Sequence, residues 1–330
     1  MTGQSYPACQ FDTHKKKQQM KIFLQKLCLA AGFLILLNGN ARAQHEAMYS
    51  QYMFNGLILN PAYAGSTGSL SAAALYRRQW LGMEGAPITQ TVTLHAPVAH
   101  NKVGLGFSLI NDKIGVTRNL GLTGIYAYRI LTQKGAFSMG LQYGVSQYFA
   151  DYTQVQTNPN NSQDNTFNDI QNILLFNVGT GLYYHTDKFY AGASLPVLYS
   201  NKIAGLGESV ATNPKKYRHY FFTTGYVFTL SDHLKIKPST LVKIAEGAPV
   251  QVDINTNLWM YNVLGVGLSY RTNDALVGMF EVQLAKQFRF SYAYDHPISQ
   301  LRSFTSSSHE IMIRFDRLKP SAPYISPRFF

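Results

Sequence analysis

Serine, histidine and a carboxylate make a hydrolytic relay only when the fold brings them together near a substrate. Two places in this 330-residue sequence offer such residues: His185 with Asp187, and His309 after Ser306, Ser307 and Ser308. The Gly-x-Ser-x-Gly elbow that would expose a nucleophile is missing, so these residues read as polar strand ends and no catalytic residue is assigned. Asp164, Asn165, Asn168 and Asp169 supply hard oxygens of the kind calcium takes, but without the spacing of a calcium-binding loop they read as a polar surface loop. His45, His95, His100, His219 and His233 have no His-x-x-x-His spacing, so no metal site is assigned. Neither a P-loop nor a dinucleotide fingerprint occurs, and no cofactor is expected.

The first 43 residues do not belong to the fold. Lys15, Lys16, Lys17, Lys21 and Lys26 form a basic region, Leu27 to Leu37 an apolar core, and Ala41-Arg42-Ala43 a small-x-small cleavage site. That is a signal peptide ending at residue 43, with Met20 an alternative start. Cys9 and Cys28 are the only cysteines, so the mature chain has no disulfide and no thiol chemistry. Leu27 stands where a lipoprotein needs a small residue before its cysteine. Of 29 basic and 17 acidic residues, six and one fall within residues 1–43, which leaves a net charge of +7. The charge is scattered and forms no basic stripe, so nucleic acid is not an expected partner.

After the leader no apolar run is long enough for a transmembrane helix, yet the sequence holds 22 Tyr and 20 Phe. The remaining way for a secreted chain to cross a membrane is a closed β-barrel, whose ladder satisfies every backbone group. Its signature is alternation over about ten residues, repeated between turn signals. Phe288, Phe290, Tyr292 and Tyr294 alternate with Arg289, Ser291, Ala293 and Asp295. Ile311, Ile313 and Phe315 alternate with Glu310, Met312, Arg314 and Asp316. Aromatic residues on the outer side suit lipid and not water. The expected fold is therefore all-β, a transmembrane antiparallel outer-membrane barrel of about fourteen strands. The strands are predicted near 69–79, 88–97, 102–111, 120–130, 136–149, 171–185, 188–196, 217–230, 234–245, 250–260, 263–271, 275–285, 287–296 and 307–316. Short connections are assigned to the periplasm. Longer ones, such as Asn111–Asn119, Ala150–Ile170, Val197–Lys216 and Pro297–Ser306, are assigned to the outside. Residues 44–68 then form a periplasmic N-terminal segment, 69–316 the barrel, and 317–330 an extended periplasmic tail.

The same parity points Arg129, Lys235, Lys237, Lys243, Asp253, Glu281, Arg289, Asp295, Glu310 and Arg314 into the lumen. Two readings are open: a charged, selective pore, or an ion-paired interior that fills the barrel.

The mature N-terminus reads Tyr49-Ser50-Gln51-Tyr52-Met53-Phe54-Asn55, then Asn60-Pro61-Ala62-Tyr63-Ala64-Gly65. Tyr76-Arg77-Arg78-Gln79-Trp80, Gly85-Ala86-Pro87, Gly104-Leu105-Gly106-Phe107-Ser108 and Ile110-Asn111-Asp112-Lys113-Ile114-Gly115 follow in order. Near the end stand Ser291-Tyr292-Ala293-Tyr294-Asp295 and Ser308-His309-Glu310-Ile311. This set resembles the PorP/SprF family over about residues 47–316. The resemblance implies a non-enzymatic outer-membrane component of type IX secretion in Bacteroidetes-type bacteria. Two roles are implied. One links the outer membrane to periplasmic secretion-ring and peptidoglycan-binding proteins. The other assists one secreted type IX cargo or surface adhesin, and it suits a family with several paralogues per genome. A passive channel or hydrophobic-solute transporter on the same architecture is the alternative.

Residues 48–65 are too apolar to hang in water, and Asn60-Pro61 imposes a turn. Tyr52, Phe54, Asn60, Pro61 and Tyr63 are the candidate residues of a plug in the periplasmic mouth; a simple lead-in to the first strand is the other reading. Arg78, Trp80 and Glu84 in one outer loop, and Asp112 and Lys113 in the next, are the candidate partner-facing residues, or they fold over the barrel mouth. Outer-membrane lipid surrounds the whole.

Overall fold

The computed structural model describes residues 48–154, 170–202, 218–246 and 248–317. The leader, the Asp164–Asp169 cluster and the tail from residue 318 lie outside the described residues. The barrel belongs to one compact unit, Gln44–Glu246 with Val250–Phe330.

Fifteen strand stretches build the wall: β1 Ser71–Arg78, β2 Ile88–Val98, β3 Val103–Ile114, β4 Thr117–Leu131, β5 Gly135–Asp151, β6 Ile170–Thr186, β7 Phe189–Lys202, β8 His219–Tyr226, β9 Phe228–Ser231, β10 Leu234–Ala245, β11 Gln251–Met260, β12 Leu264–Arg271, β13 Ala275–Gln283, β14 Phe288–Pro297 and β15 Ser308–Asp316. Neighbours in sequence pair antiparallel, and β1 pairs with β15 from Ser71↔Asp316 to Arg78↔His309, so the sheet closes. β8 and β9 run along the same neighbour in one register, Gly225↔Ser239 and then Phe228↔Ile236. Pro238 of β10 lies opposite the gap and has no N–H to donate. The two stretches are one stave of a closed fourteen-strand barrel.

Alternation sets the two faces. On β4, Leu120, Leu122, Tyr126, Tyr128 and Ile130 are exposed while Ile125, Ala127 and Arg129 are buried. On β12, Leu264, Val266, Leu268 and Tyr270 are exposed while Ser269 and Arg271 are buried. Such an outer face is stable only against hydrocarbon. β5 and β6, at 17 residues each, are longer than the roughly 9–11 residues a bilayer needs, so the wall stands taller on that side.

The strands fall within a few residues of their predicted spans, with two corrections. β3 runs to Ile114 and β4 begins at Thr117, so the expected Asn111–Asn119 loop is a tight turn with Gly115 at φ 55°. Asn111 and Asp112 resemble turn residues by type, but neighbouring strands satisfy them. Thr89 Oγ1 donates to Asp112 at 2.6 Å, and Asn111 Nδ2 donates to Gln90 at 2.9 Å. The second difference is in β7, which runs to Lys202, so the expected Val197–Lys216 loop starts as strand, and its register to β6 shifts between Val178 and Thr180. This bulge turns the adjacent Pro196 and Val197 both inward, and Gln142 Nε2 caps the Pro196 carbonyl at 2.8 Å.

The apolar core lies inside the barrel and is built on residues that precede β1. Tyr49, Tyr52, Met53, Phe54 and Leu59 cluster with Leu75, Phe221, Leu241, Trp259, Met279 and Met312. Leu57, Ala62, Tyr63 and Ala64 cluster with Ile125, Ala127, Tyr183 and Tyr190.

Candidate functional site

Residues 49–66 are buried except for Gly56 and Ile58, which are half-buried. Two short 3-10 turns shape them, Gly56–Ile58 and Pro61–Tyr63. Asn60 caps the second: its Oδ1 accepts from Ala62 N at 2.9 Å, and Pro61 fills the first helical position, where no N–H is needed.

The segment descends the interior from one end of the wall to the other. At the end where β1, β14 and β15 meet the longer loops, the Glu310 carboxylate accepts from Ser50 N at 2.9 Å and from Gln51 N at 2.8 Å. Ser50 Oγ donates to Asp295 at 2.6 Å. Arg77 ties both acids together, at 2.7 Å to Asp295 and 3.0 Å to Glu310. Arg271 pairs with Asp253 and Asp274 and donates to the Tyr49 carbonyl. Lower down, Arg314 donates to the Phe54 carbonyl at 2.7 Å and pairs with Glu281, which also holds Arg289 at 2.6 Å. Asn255 Nδ2 donates to the Tyr52 hydroxyl at 2.7 Å, and Lys237 reaches the Met53 carbonyl at 3.4 Å beneath the Trp259 ring. An unpartnered charge could not stay buried here; these are neutralised in pairs and by backbone dipoles.

At the short-turn end the chain presses against the wall itself. A Cβ on Gly140 would strike the backbone of Pro61 and Ala62, one on Gly181 would strike Asn60, and one on Gly104 would strike the Ala64 carbonyl. Three different strands thus carry glycine where the segment needs the room, its backbone at Gly104 and Gly140 and the Asn60 side chain at Gly181. Asn60 Nδ2 donates to the Leu182 carbonyl and Ser194 Oγ to the Leu59 carbonyl. Tyr63 packs edge-on to His95 and Tyr183, each at 5.5 Å. Gly65, at φ 74°, turns the chain toward β1 and donates its N–H to His95 Nδ1.

The ten inward charges expected from parity are all buried or half-buried. Arg77 and Arg271 escaped that reading although parity marks them too, since Arg77 alternates with Ala73 and Leu75. The five predicted partner-facing residues do not form one surface. Asp112 is buried in the lumen and Lys113 is exposed on the outer wall, both in β3 and not in a loop. Arg78 is also exposed on the outer wall. Glu84 is exposed in the 79–87 loop, and Trp80 is half-buried at φ 49°, its N–H held by Ser308 Oγ. Leu81 N donates to the Ser307 carbonyl and Gly115 N to the Gly85 carbonyl, so this loop is braced on both sides.

Ser307 Oγ lies 3.0 Å from His309 Nε2, and His309 Nδ1 lies 2.6 Å from the Tyr292 hydroxyl. The third group is a phenol and Ser307 is buried, so the trio anchors the β14–β15 loop to the wall. A cavity of about 140 Å³ remains beside the segment, between Leu59, Asp112, Asn119, Gln142, Asn177 and Val197. Among the described residues no group of His, Cys, Asp or Glu is placed to hold a metal.

The family described as Type IX secretion system membrane protein PorP/SprF matches residues 41–315. No curated protein matches the sequence. Among solved structures, the outer membrane protein Omp33 of Acinetobacter baumannii is 10% identical with a TM-score of 0.45, covering 76% of this chain and 98% of its own. The CymD monoaromatic hydrocarbon channel is 11% identical at a TM-score of 0.47, covering 84% and 95%. A Pseudomonas aeruginosa FadL homologue is 10% identical at 0.41, covering 84% and 100%.

Proposed function

Because the chain belongs to the PorP/SprF family of type IX secretion system membrane proteins, we propose that it is a non-enzymatic partner barrel of the outer membrane whose own N-terminal segment closes the lumen. On this reading Tyr52, Phe54, Asn60, Pro61 and Tyr63 are plug residues. The long-loop face receives a secreted cargo or surface adhesin and helps it reach or stay on the cell surface. One observation carries the reading. Residues 49–66 run the height of the interior and are fastened to β1, β2, β6, β7, β10, β11, β12, β14 and β15, where a solute channel needs a continuous path. Arg78, Trp80, Glu84 and Lys113 are proposed to face the partner or the lipid around it; Asp112, being buried, supports the pocket wall. The test is affinity capture of the tagged protein from detergent-solubilised native outer membranes, with mass spectrometry of what accompanies it. One large secreted protein supports the cargo role. A periplasmic ring or peptidoglycan-binding protein assigns it to the secretion core instead. Recovery of neither leaves the channel as the better reading.

A further inference from the structure

Four neighbouring strands align their outward side chains into a single row at the long-loop end. The register pairs Arg78 with Ile88, Ile88 with Lys113, and Lys113 with Arg118. Arg78, Lys113 and Arg118 are all exposed, and none forms an ion pair among the described residues. No outward position on β1 to β4 carries a carboxylate. Asp151 at the end of β5 is turned to Thr153, and Glu84 is exposed in the neighbouring 79–87 loop and not on the wall. Like charges directly across a strand pair repel, so Lys113 opposite Arg118 costs stability unless an anion lies between them. Arg118 is also aimed: its Nε donates to Asn111 at 2.7 Å, and Asn111 is held by Gln90.

The row lies just beyond an apolar surface. Exposed Val92, Leu94, Phe107, Leu109, Leu120 and Leu122 occupy β2, β3 and β4 below it, beyond the Gln90–Asn111 pair. These cations are part of the flat wall and not of a protruding loop, and the closed sheet offers no strand edge for a protein to pair with. A group that meets the wall here meets it at the headgroup level of a bilayer. We propose that Arg78, Lys113 and Arg118 form a binding site for the phosphate groups of an outer-leaflet glycolipid. Strands about 4.8 Å apart place Arg78 and Arg118 roughly 14 Å from each other, with Lys113 between. That spread suits a headgroup bearing two phosphates across a disaccharide. Arginine supplies the paired N–H geometry that phosphate accepts, and lysine adds a point charge. The site depends on the barrel spanning a membrane and not on the secretion role.

The test is native mass spectrometry of the full chain in detergent, titrated with diphosphoryl lipid A and, separately, with its monophosphoryl form. The expected order is diphosphoryl above monophosphoryl, with binding of both about tenfold weaker or more in an Arg78→Gln, Lys113→Gln, Arg118→Gln variant. A Lys188→Gln, Lys286→Gln variant, altered at the opposite end, should bind as the unaltered protein does. Equal binding by the triple variant would overturn the site. So would a triple variant that keeps lipid A but loses an acidic protein in affinity capture, which would make the row a protein contact. A barrel-fold control comes from the band shift on heating, which the outward substitutions should leave unchanged.

Discussion

Glu310 serves two partners at once. Its carboxylate accepts two backbone N–H groups of residues 50 and 51 while balancing the buried Arg77 guanidinium. Glu310→Ala removes the acceptors and strips one of the two acids from Arg77, leaving Asp295 shared with Arg271. Breaking a buried pair from one side costs about 3–5 kcal/mol. The thermal unfolding midpoint in detergent should therefore fall clearly. Replacing the three charges that meet there, Arg77→Met with Asp295→Asn and Glu310→Met, should cost less than the single change, because Arg271 keeps Asp253 and Asp274 and no buried charge loses its partner. A triple variant as damaged as Glu310→Ala would mean that shape and not charge holds this end of the segment.

The segment and the wall are complementary along their length. Gly140 has no side chain because Pro61 and Ala62 occupy that space. Gly140→Val should displace residues 60–65 while leaving the ladder of β5 intact, since Val suits a strand. Limited chymotrypsin digestion then reads the element directly: cleavage at Tyr52, Phe54 or Tyr63 should appear in the variant and be absent from the unaltered protein. A Gly121→Val variant, at an inward glycine of β4 whose added Cβ meets only the Ser146 side chain at 3.8 Å, should remain resistant. Digestion of both variants alike would detach the effect from the segment's seat.

For the molecule as a whole, ionic conduction is the decisive property. The long axis of the interior is occupied by chain, and the charges around it pair with one another and with that chain. The purified barrel should therefore be nearly silent in planar bilayers, and Gly140→Val should show discrete openings. Steady conductance by the unaltered protein would favour a channel whose permeant passes beside residues 49–66. The cavity of about 140 Å³ marks where that path would begin.

Period-two alternation and turn residues were enough to set the strands and their inward parity, because a lipid-facing surface and a polar interior leave opposite marks on successive residues. The composition of residues 48–65 likewise showed that they avoid water. Local pattern could not say that Asp112 and Asn111 end inside a strand, because the partners that satisfy them, Thr89 and Gln90, are supplied by the neighbouring strand. Nor could it reveal why Gly104, Gly140 and Gly181 are glycine, or which of the many buried charges pair. Those facts depend on residues brought together across as many as 260 positions, as Ser50 and Glu310 are. The sequence by itself determined a membrane barrel and its two faces, since both follow from neighbours along one strand. Tertiary structure alone decided what fills the lumen and how the basic row lines up across four strands, since register and closure are relations between strands.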